Sequence, residues 1–358
     1  MSEIKPGATP QLEIDASRQW MSWMQEQKLS FAFSTYQGGK VFFIGSKPDG
    51  KMDVFERTFN RVMGLCTDGT DKFYLSSLWQ LWRFDNVLPK GELFQQRYDR
   101  MFLPTKAWTT GDLDIHDMGV GADGQLYFIN CLFSCLATVS DGYSFKPLWK
   151  PEWISRLVPE DRCHLNGLAM VDGKPKYVSA ISQTDVNEGW REHRRDGGVI
   201  IDIESNEIVC SGLSMPHSPR WYRGKLYVHN SGTGEFGYVD FETKSFVALA
   251  FVPGYLRGLT FTGDYAVAGL SEPRDNKSFQ GLQLSEELEK RGIQARCGLQ
   301  VIDLRDGSLP HNLRIKGFIN ELYDVVSLPD VRMSYAVGTQ KDEIRRVVRM
   351  DETGLHKA

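Results

Sequence analysis

The chain has 358 residues and a formal net charge of −4, and its basic and acidic residues are mixed along the sequence. It is long enough for a large core. It offers no basic surface that would hold a phosphate backbone, so a nucleic-acid partner is not expected. No run approaches the roughly 18 apolar residues of a membrane span, and the start, MSEIKPGATPQLEID, lacks the features of a secretory signal. Because the six cysteines form no CxxC pair, we predict a cytoplasmic protein with reduced thiols and no membrane partner.

The N-terminal segment, residues 1–30, is predicted to be an extension of the main domain. Residues 1–15 are expected to be disordered. The stretch ASRQWMSWMQEQ at residues 16–27 has the apolar spacing of a short amphipathic helix, which we expect to cap the domain. At the other end, residues 341–358 are predicted to form a tail or a final strand.

Six segments after residue 60 repeat one plan. In each, a small residue precedes an apolar strand, a turn follows, and a second strand alternates apolar and polar residues. The segments recur at intervals of roughly 40 to 65 residues. Stretches between them, such as GGVIIDIESNEIVCSG, supply a third and a fourth strand. The six segments are residues 61–77, 115–130, 164–180, 217–230, 255–270 and 321–339.

Four strands per unit at this period are typical of a β-propeller. Residues 31–59 contain strands but no inner-strand segment, whereas the last repeat has an inner strand and ends near residue 340. We expect these two parts to share one blade, which would close the ring with strands from both termini. The sequence therefore predicts an all-β, six-bladed β-propeller as a single domain over residues 31–340, with a seventh, irregular blade left open.

Three histidines occupy equivalent places in consecutive repeats. Residues just before each innermost strand of a propeller surround the mouth of its central channel, and His116, His164 and His217 stand at that place. The chain has only seven histidines, so this coincidence suggests a shared site. The other blades carry polar residues at the equivalent place, namely Asn60 and Arg61, Arg257, and Glu321 with Tyr323.

Three converging imidazoles are predicted to bind a divalent transition metal. Fe, Zn and Cu all suit imidazole, so the sequence does not select one of them. If the histidines share a metal, their nitrogens should lie within about 3–4 Å of one another. Two other roles remain open: hydrogen bonds to loop backbone only, and acid–base or binding chemistry without a metal.

Further site residues follow from the same alignment of the repeats. Asp117, Glu321 or Asn166 would serve as a fourth ligand, an orienting group or a general base. Arg257 would bind a carboxylate or phosphate of the substrate. The predicted catalytic residues are Asp117, Arg257, Glu321 and Tyr323, and the predicted substrate-binding residues are Asn166, Asn230, Arg274 and Asn276.

Residues 271–297 form an insertion between the second and third strands of the blade that contains Arg257. Its LSEELEKRG stretch has Glu-to-Lys spacing and a terminal glycine that predict a short surface helix. We expect the insertion to lie over the channel mouth as a partial lid, with Arg274 and Asn276 directed towards the site. A solvated excursion away from the mouth is the alternative.

Several motifs are similar to those of a known bacterial family of conserved proteins of unknown function. They include TYQGGKVFFIG, FERTFNRVMGL, LWRFDN, HDMG, CHLNGLA, PHSPRWY, NSGTGEFG, PGYLRGL and CGLQVIDL. The resemblance extends over residues 31–340 and implies a β-propeller-like architecture. More distantly, the layout resembles the lactonase and senescence-marker group of six-bladed propellers, which hold calcium at the channel mouth with Glu, Asn and Asp. This chain offers histidines there instead, so the resemblance does not extend to a calcium lactonase.

The sequence favours an enzyme with its site at the channel mouth. The expected substrate is a small molecule, amino-acid-like or peptide, because the mouth loops are polar and glycine-rich. An oxidoreductase, a lyase and a hydrolase all remain open. The alternative is a non-catalytic propeller scaffold that binds a protein or peptide on the same face.

Overall fold

Six β-sheets form a ring around a central channel in the computed structural model, which describes residues 12–272, 280–340 and 342–351. Each sheet is one blade of a six-bladed β-propeller, as the repeats predict. We number the blades by the chain order of their innermost strands. The four main strands of each blade are antiparallel to their neighbours, and in blades 1 to 5 a short turn connects the first two strands, which the Gly and Asp residues of each repeat allow.

Blades 1 to 3 each place their innermost strand first in sequence. The strands of blade 1 are Leu65–Asp68, Lys72–Ser76, Gln80–Asn86 and Arg100–Thr109. Those of blade 2 are Ile115–Val120, Leu126–Asn130, Cys135–Thr138 and Lys146–Trp149. Those of blade 3 are Leu165–Val171, Lys174–Ala180, Gly198–Asp202 and Ile208–Leu213, with a 3₁₀ turn at Gly189–His193 between the second and third strands.

Blades 4 and 5 repeat this order, and blade 6 does not. Blade 4 contains Pro216–Tyr222, Lys225–Asn230, Glu235–Asp240 and Ser245–Phe251. Blade 5 contains Tyr255–Thr262, Tyr265–Ser271, Cys297–Asp303 and Asn312–Lys316. Blade 6 contains the inner strand Val325–Pro329 followed by Leu29–Thr35, Lys40–Ser46 and Met52–Thr58. A further 3₁₀ turn lies at Asp342–Arg345.

Blade 6 confirms the predicted closure by both termini. Its inner strand comes from the C-terminal part of the chain and pairs antiparallel with Leu29–Thr35, with Phe31 opposite Ser327. The propeller therefore begins at Leu29, two residues before the predicted boundary. The shared blade joins the two ends of the domain and leaves no open edge between the first and last blades.

Two short outer strands differ from the prediction. Glu13–Ala16 pairs with Asn312–Lys316 as a fifth strand of blade 5, so the disorder expected for residues 1–15 does not apply to this part. Ser334–Ala336, in the second half of the last repeat, pairs parallel with Arg100–Thr109 at the outside of blade 1. Each strand extends a blade at its outer edge, where the local repeat pattern carries no signal.

The predicted N-terminal helix is present at Trp20–Glu26. Trp20, Trp23 and Met24 are buried against blades 5 and 6. The Trp23 ring meets Tyr265 edge to face at 5.7 Å. Tyr265 begins the second strand of blade 5, which starts at the end of the ring opposite to the mouth. The helix therefore covers the side of the ring at that end.

Polar contacts join the innermost strands across the blades. The Asp117 carboxylate accepts the N–H of Leu168 from the next blade at 2.9 Å, and Arg220 donates two hydrogen bonds to Asp117, at 2.7 and 3.0 Å. Asp324 lies 3.8 Å from Arg220 and accepts the N–H of Leu65 at 2.8 Å. One arginine thus connects carboxylates from two other blades.

All six cysteines are buried free thiols. Within the described ranges, no helix is long and apolar enough to cross a membrane.

Candidate functional site

A cavity of about 420 Å³ opens at the channel mouth. Its walls come from the residues that precede or begin the inner strands of all six blades. Five residues predicted from the sequence line it, namely His116, His164, Arg257, Glu321 and Tyr323. Its other lining residues include Tyr36, Arg61, Met63, Asp112, Asp114, Asp161, Trp190, Arg191 and Met215.

His116 and His217 are held in the same way. Nδ1–H of His116 donates to the carbonyl oxygen of Asp114, and Nδ1–H of His217 donates to that of Met215, both at 2.7 Å. Asp114 and Met215 each have φ of 50°, so the two blades repeat one turn that is uncommon for residues other than glycine. In this tautomer Nε2 keeps its lone pair. The Nε2 of His217 is buried and has no hydrogen-bond partner among the described residues.

Burial keeps both imidazoles neutral. It lowers the pKa of His116 to about 4, despite the opposing carboxylate of Asp114. Burial and the nearby Arg257 lower the pKa of His217 well below its ordinary value. Both rings can therefore offer a lone pair at neutral pH.

His164 is fixed by the Asp161 carboxylate, which accepts three hydrogen bonds. They come from His164 Nδ1 at 2.9 Å, from Trp190 Nε1 at 2.7 Å and from the Cys131 thiol at 3.1 Å. The Trp190 ring stacks on His164 with centroids 4.2 Å apart. Although burial opposes it, contact with His164 holds the pKa of Asp161 below its usual value. This carboxylate orients the imidazole in the way that carboxylates hydrogen-bonded to metal-binding histidines do.

Three buried residues at the mouth form a group with metal-ligand chemistry. The ligand atoms of His116, Cys131 and His164 all lie within 4.8 Å of one another, and the two histidine rings are 4.8 Å apart. His217 is not a member of this group, so the three histidines do not approach one another as closely as predicted. Its ring packs instead against Tyr255, with centroids 5.4 Å apart.

Four of the predicted site residues that the structure describes do not line the cavity, namely Asp117, Asn166, His217 and Asn230. Asp117 is used in the contacts between inner strands, because a residue one place after His116 faces the other side of the strand. Asn230 accepts the N–H of Ser214 at 2.7 Å and so stabilises a loop. Asn166 is buried below the mouth, and its Nδ2 has no hydrogen-bond partner within the described part of the chain.

Arg257, Glu321 and Tyr323 form the wall opposite His164. The Arg257 guanidinium donates a hydrogen bond to the Glu321 carboxylate and lies over the Tyr323 ring, 4.8 Å from its centroid. Although burial opposes it, the Glu321 carboxylate raises the pKa of Arg257 further above its ordinary value. The guanidinium is therefore a permanent charge in a fixed position.

Asp161 and Trp190 are site residues that the sequence prediction missed. Asp161 stands three residues before His164 in the stretch EDRCHL. This short separation could have indicated a carboxylate beside the histidine. Trp190 lies in the long loop between the second and third strands of blade 3, and no repeat marks its position. Cys131, whose thiol also contacts Asp161, is buried.

The insertion in blade 5 contains the predicted helix, at Gln283–Arg291, ended by Gly292 with φ of 63°. Leu284 and Leu288 are buried in a cluster that includes Trp190. Arg195 of blade 3 donates a hydrogen bond to Glu286 at 3.0 Å. The helix thus lies on the mouth face and packs against Trp190, but none of its residues lines the cavity. Arg274 and Asn276 lie outside the described residues.

Several solved structures are similar to the chain over most of its length. One chain of a nidogen–laminin complex matches with a TM-score of 0.51 and 12% identity, over 84% of this chain and 99% of that one. Virginiamycin B lyase from Staphylococcus aureus, in a catalytically inactive form with quinupristin, matches with a TM-score of 0.40 and 11% identity, over 85% of this chain and 99% of that one. A luciferin-regenerating enzyme matches with a TM-score of 0.41 and 12% identity, over 89% of this chain and 99% of that one. Likeness at these identities concerns the fold alone.

No protein with a curated description matches the chain. Residues 18–337 match a family described as a domain of unknown function, DUF4915. This range includes all six inner strands and every described residue of the mouth. The chain therefore belongs to the DUF4915 family.

Proposed function

We propose that the protein is an enzyme whose active site is the channel mouth. In this proposal a divalent transition metal is held by Nε2 of His116 and of His164, Nε2 of His217 moves towards the ion as the third ligand, and a small molecule binds beside it. A cavity of about 420 Å³ is within the range usual for small-molecule sites.

The observation that carries the proposal is the common state of the three imidazoles. In each, Nδ1 is already bonded to an acceptor of the protein: the Asp114 carbonyl, the Asp161 carboxylate or the Met215 carbonyl. This arrangement is the one that metal-binding histidines show, because the outer hydrogen bond fixes the tautomer and leaves Nε2 for the metal. A purely structural role would explain the bonds at Nδ1 but not the buried Nε2 of His217.

Cys131 is the alternative to His217 as the third metal ligand, but the position of its sulfur argues against this role. Its sulfur lies 3.2 Å from Nδ1 of His164, whereas the metal would occupy Nε2, on the far edge of the same ring. Burial and the Asp161 carboxylate raise the pKa of the Cys131 thiol well above its ordinary value. The protonated thiol therefore supports Asp161 as a hydrogen-bond donor.

Zn, Fe or Cu would suit three imidazoles, and such an ion would supply Lewis-acid polarisation of a bound substrate.

The alternative of a non-catalytic scaffold that binds a protein partner has less support. The large apolar side chains exposed on the mouth side, Trp79, Val186, Ile293 and Phe318, belong to separate loops, whereas a protein interface would need a contiguous patch.

Metal analysis of tag-free protein and of single variants tests this proposal. We expect about one transition metal ion per chain in the wild type. We expect His116→Ala, His164→Ala and His217→Ala each to lower metal affinity by more than about 100-fold, since even loss of a group that only hydrogen-bonds a ligand costs about 10- to 100-fold. His193→Ala is the matched control, because this histidine is exposed on the blade 3 loop. Wild-type protein that binds no metal, or variants that all keep it, would contradict the proposal.

A further inference from the structure

The hydroxyl of Tyr323 is a buried donor without a partner. Tyr323 is 5% exposed and lines the mouth cavity, yet its hydroxyl has no hydrogen-bond partner among the residues that the structure describes. Buried tyrosine hydroxyls usually find one, since an unmet polar group costs about 1–3 kcal/mol. The position of this hydroxyl therefore indicates a ligand.

The Tyr323 side chain is fixed on several sides. Its backbone N–H donates to the carbonyl oxygen of Ser34 at 2.8 Å. The ring lies edge to face with His116, with centroids 5.5 Å apart, and 5.9 Å from the Tyr36 ring. The guanidinium of Arg257 covers one face. With these contacts the hydroxyl cannot turn to solvent without loss of packing, which is how a preorganised binding group is held.

The charges around Tyr323 select the kind of acceptor. Arg257 lies on one side of the ring, and His116, a proposed metal ligand, lies on another. The Arg257 cation and the metal proposed at His116 favour an anionic acceptor, whereas an ammonium group has no lone pair to accept the O–H bond.

We propose that Tyr323 donates a hydrogen bond to an anionic oxygen of the molecule bound in the mouth cavity. The substrate is then a small molecule that carries a carboxylate or a comparable oxygen anion next to the metal. This inference rests on the metal site proposed above and adds the substrate class and a substrate-contacting residue.

Titration of the Co(II)-loaded protein with acetate and with imidazole, followed by visible absorption, tests the inference. Acetate offers an anionic oxygen, whereas imidazole binds a metal through nitrogen and has no lone pair left to accept from Tyr323. Tyr323→Phe should weaken acetate binding about 10- to 100-fold, as expected for one hydrogen bond to a charged group. The affinities for imidazole and for Co(II) should not change. Tyr227→Phe, in the packing between blades 4 and 5, should alter none of these affinities.

The possible outcomes separate the two proposals. Wild-type protein that fails to bind Co(II) contradicts the metal site, whereas normal Co(II) binding with unchanged acetate affinity in Tyr323→Phe overturns the role of Tyr323. Equal loss of acetate and imidazole affinity also overturns it, because that result indicates a structural role. Thermal unfolding of ligand-free protein provides a second check: removal of an unpaired hydroxyl should not lower Tm, and a lower Tm would show that the hydroxyl has a partner in the fold.

Discussion

Replacement of Arg220 by methionine is expected to lower the free energy of unfolding by about 3–5 kcal/mol, the usual cost of breaking a buried ion pair by removing one partner. Arg220 donates two hydrogen bonds to Asp117 and lies 3.8 Å from Asp324. The side chains of these two aspartates are only 5% and 4% exposed. Without the guanidinium, two carboxylates from different blades would remain in the channel with no cation between them.

Urea unfolding followed by tryptophan fluorescence measures this loss. Arg223→Met is the matched control, since Arg223 pairs with Asp264 and both side chains are about half exposed. Such surface pairs contribute about 0–1 kcal/mol. Arg220→Lys should lie between the two, because lysine restores the charge but not the two-pronged contact. Equal stabilities of the Arg220→Met and Arg223→Met variants would show that the ion cluster does not hold the inner strands.

Acidification from pH 7 to pH 5 is expected to destabilise the metal-free protein by roughly 3 kcal/mol. Burial lowers the pKa of His116 and of His229 to about 4 and that of His217 well below its ordinary value. Between pH 7 and pH 5 these histidines therefore become protonated in the unfolded chain but stay neutral in the folded protein. Their contribution to the free energy of unfolding is present above about pH 6.5 and is lost as the pH falls. Each histidine contributes at most about 2 kcal/mol over this interval.

One buried carboxylate opposes the histidines. Burial, only partly offset by Arg220, raises the pKa of Asp324 to about 7. The folded state therefore takes up one proton at Asp324 over the same range, which raises the free energy of unfolding by about 2 kcal/mol. The net effect remains a loss because three histidines outweigh one aspartate.

Urea titrations at pH 7, 6 and 5 after removal of metal test this dependence. His229→Asn should reduce the loss by about 2 kcal/mol, because His229 is fully buried in the second strand of blade 4. His193→Asn should leave the loss unchanged, since His193 is exposed. Stability that stays constant or increases from pH 7 to pH 5 would contradict the assignment of neutral buried histidines.

The fold was predictable where the sequence repeats. Each inner hairpin has its own apolar alternation and turn, and the incomplete N-terminal unit together with the last repeat indicated the shared blade 6. Glu13–Ala16 and Ser334–Ala336 were not predictable in this way. They have four and three residues and pair with strands far away in sequence, so no local pattern specifies their partners.

The candidate site was predictable only in part. Equivalent positions in the repeats identified His116 and His164, because the fold brings the start of each inner strand to the mouth. The adjacent Asp117 was assigned to the site as well, although alternation along a strand directs it towards Arg220. Asp161 and Trp190 come from loops that do not repeat, and their role depends on how those loops fold over His164.

X-ray absorption at the zinc edge, with the protein loaded with one equivalent of Zn(II), tests the proposed centre most directly. The account predicts nitrogen or oxygen ligands only, at about 2.0–2.1 Å, with the outer scattering of three imidazoles. His217→Ala should remove one of these three imidazoles. A sulfur ligand at about 2.3 Å would contradict the account, because it would make the Cys131 thiol a ligand in place of His217.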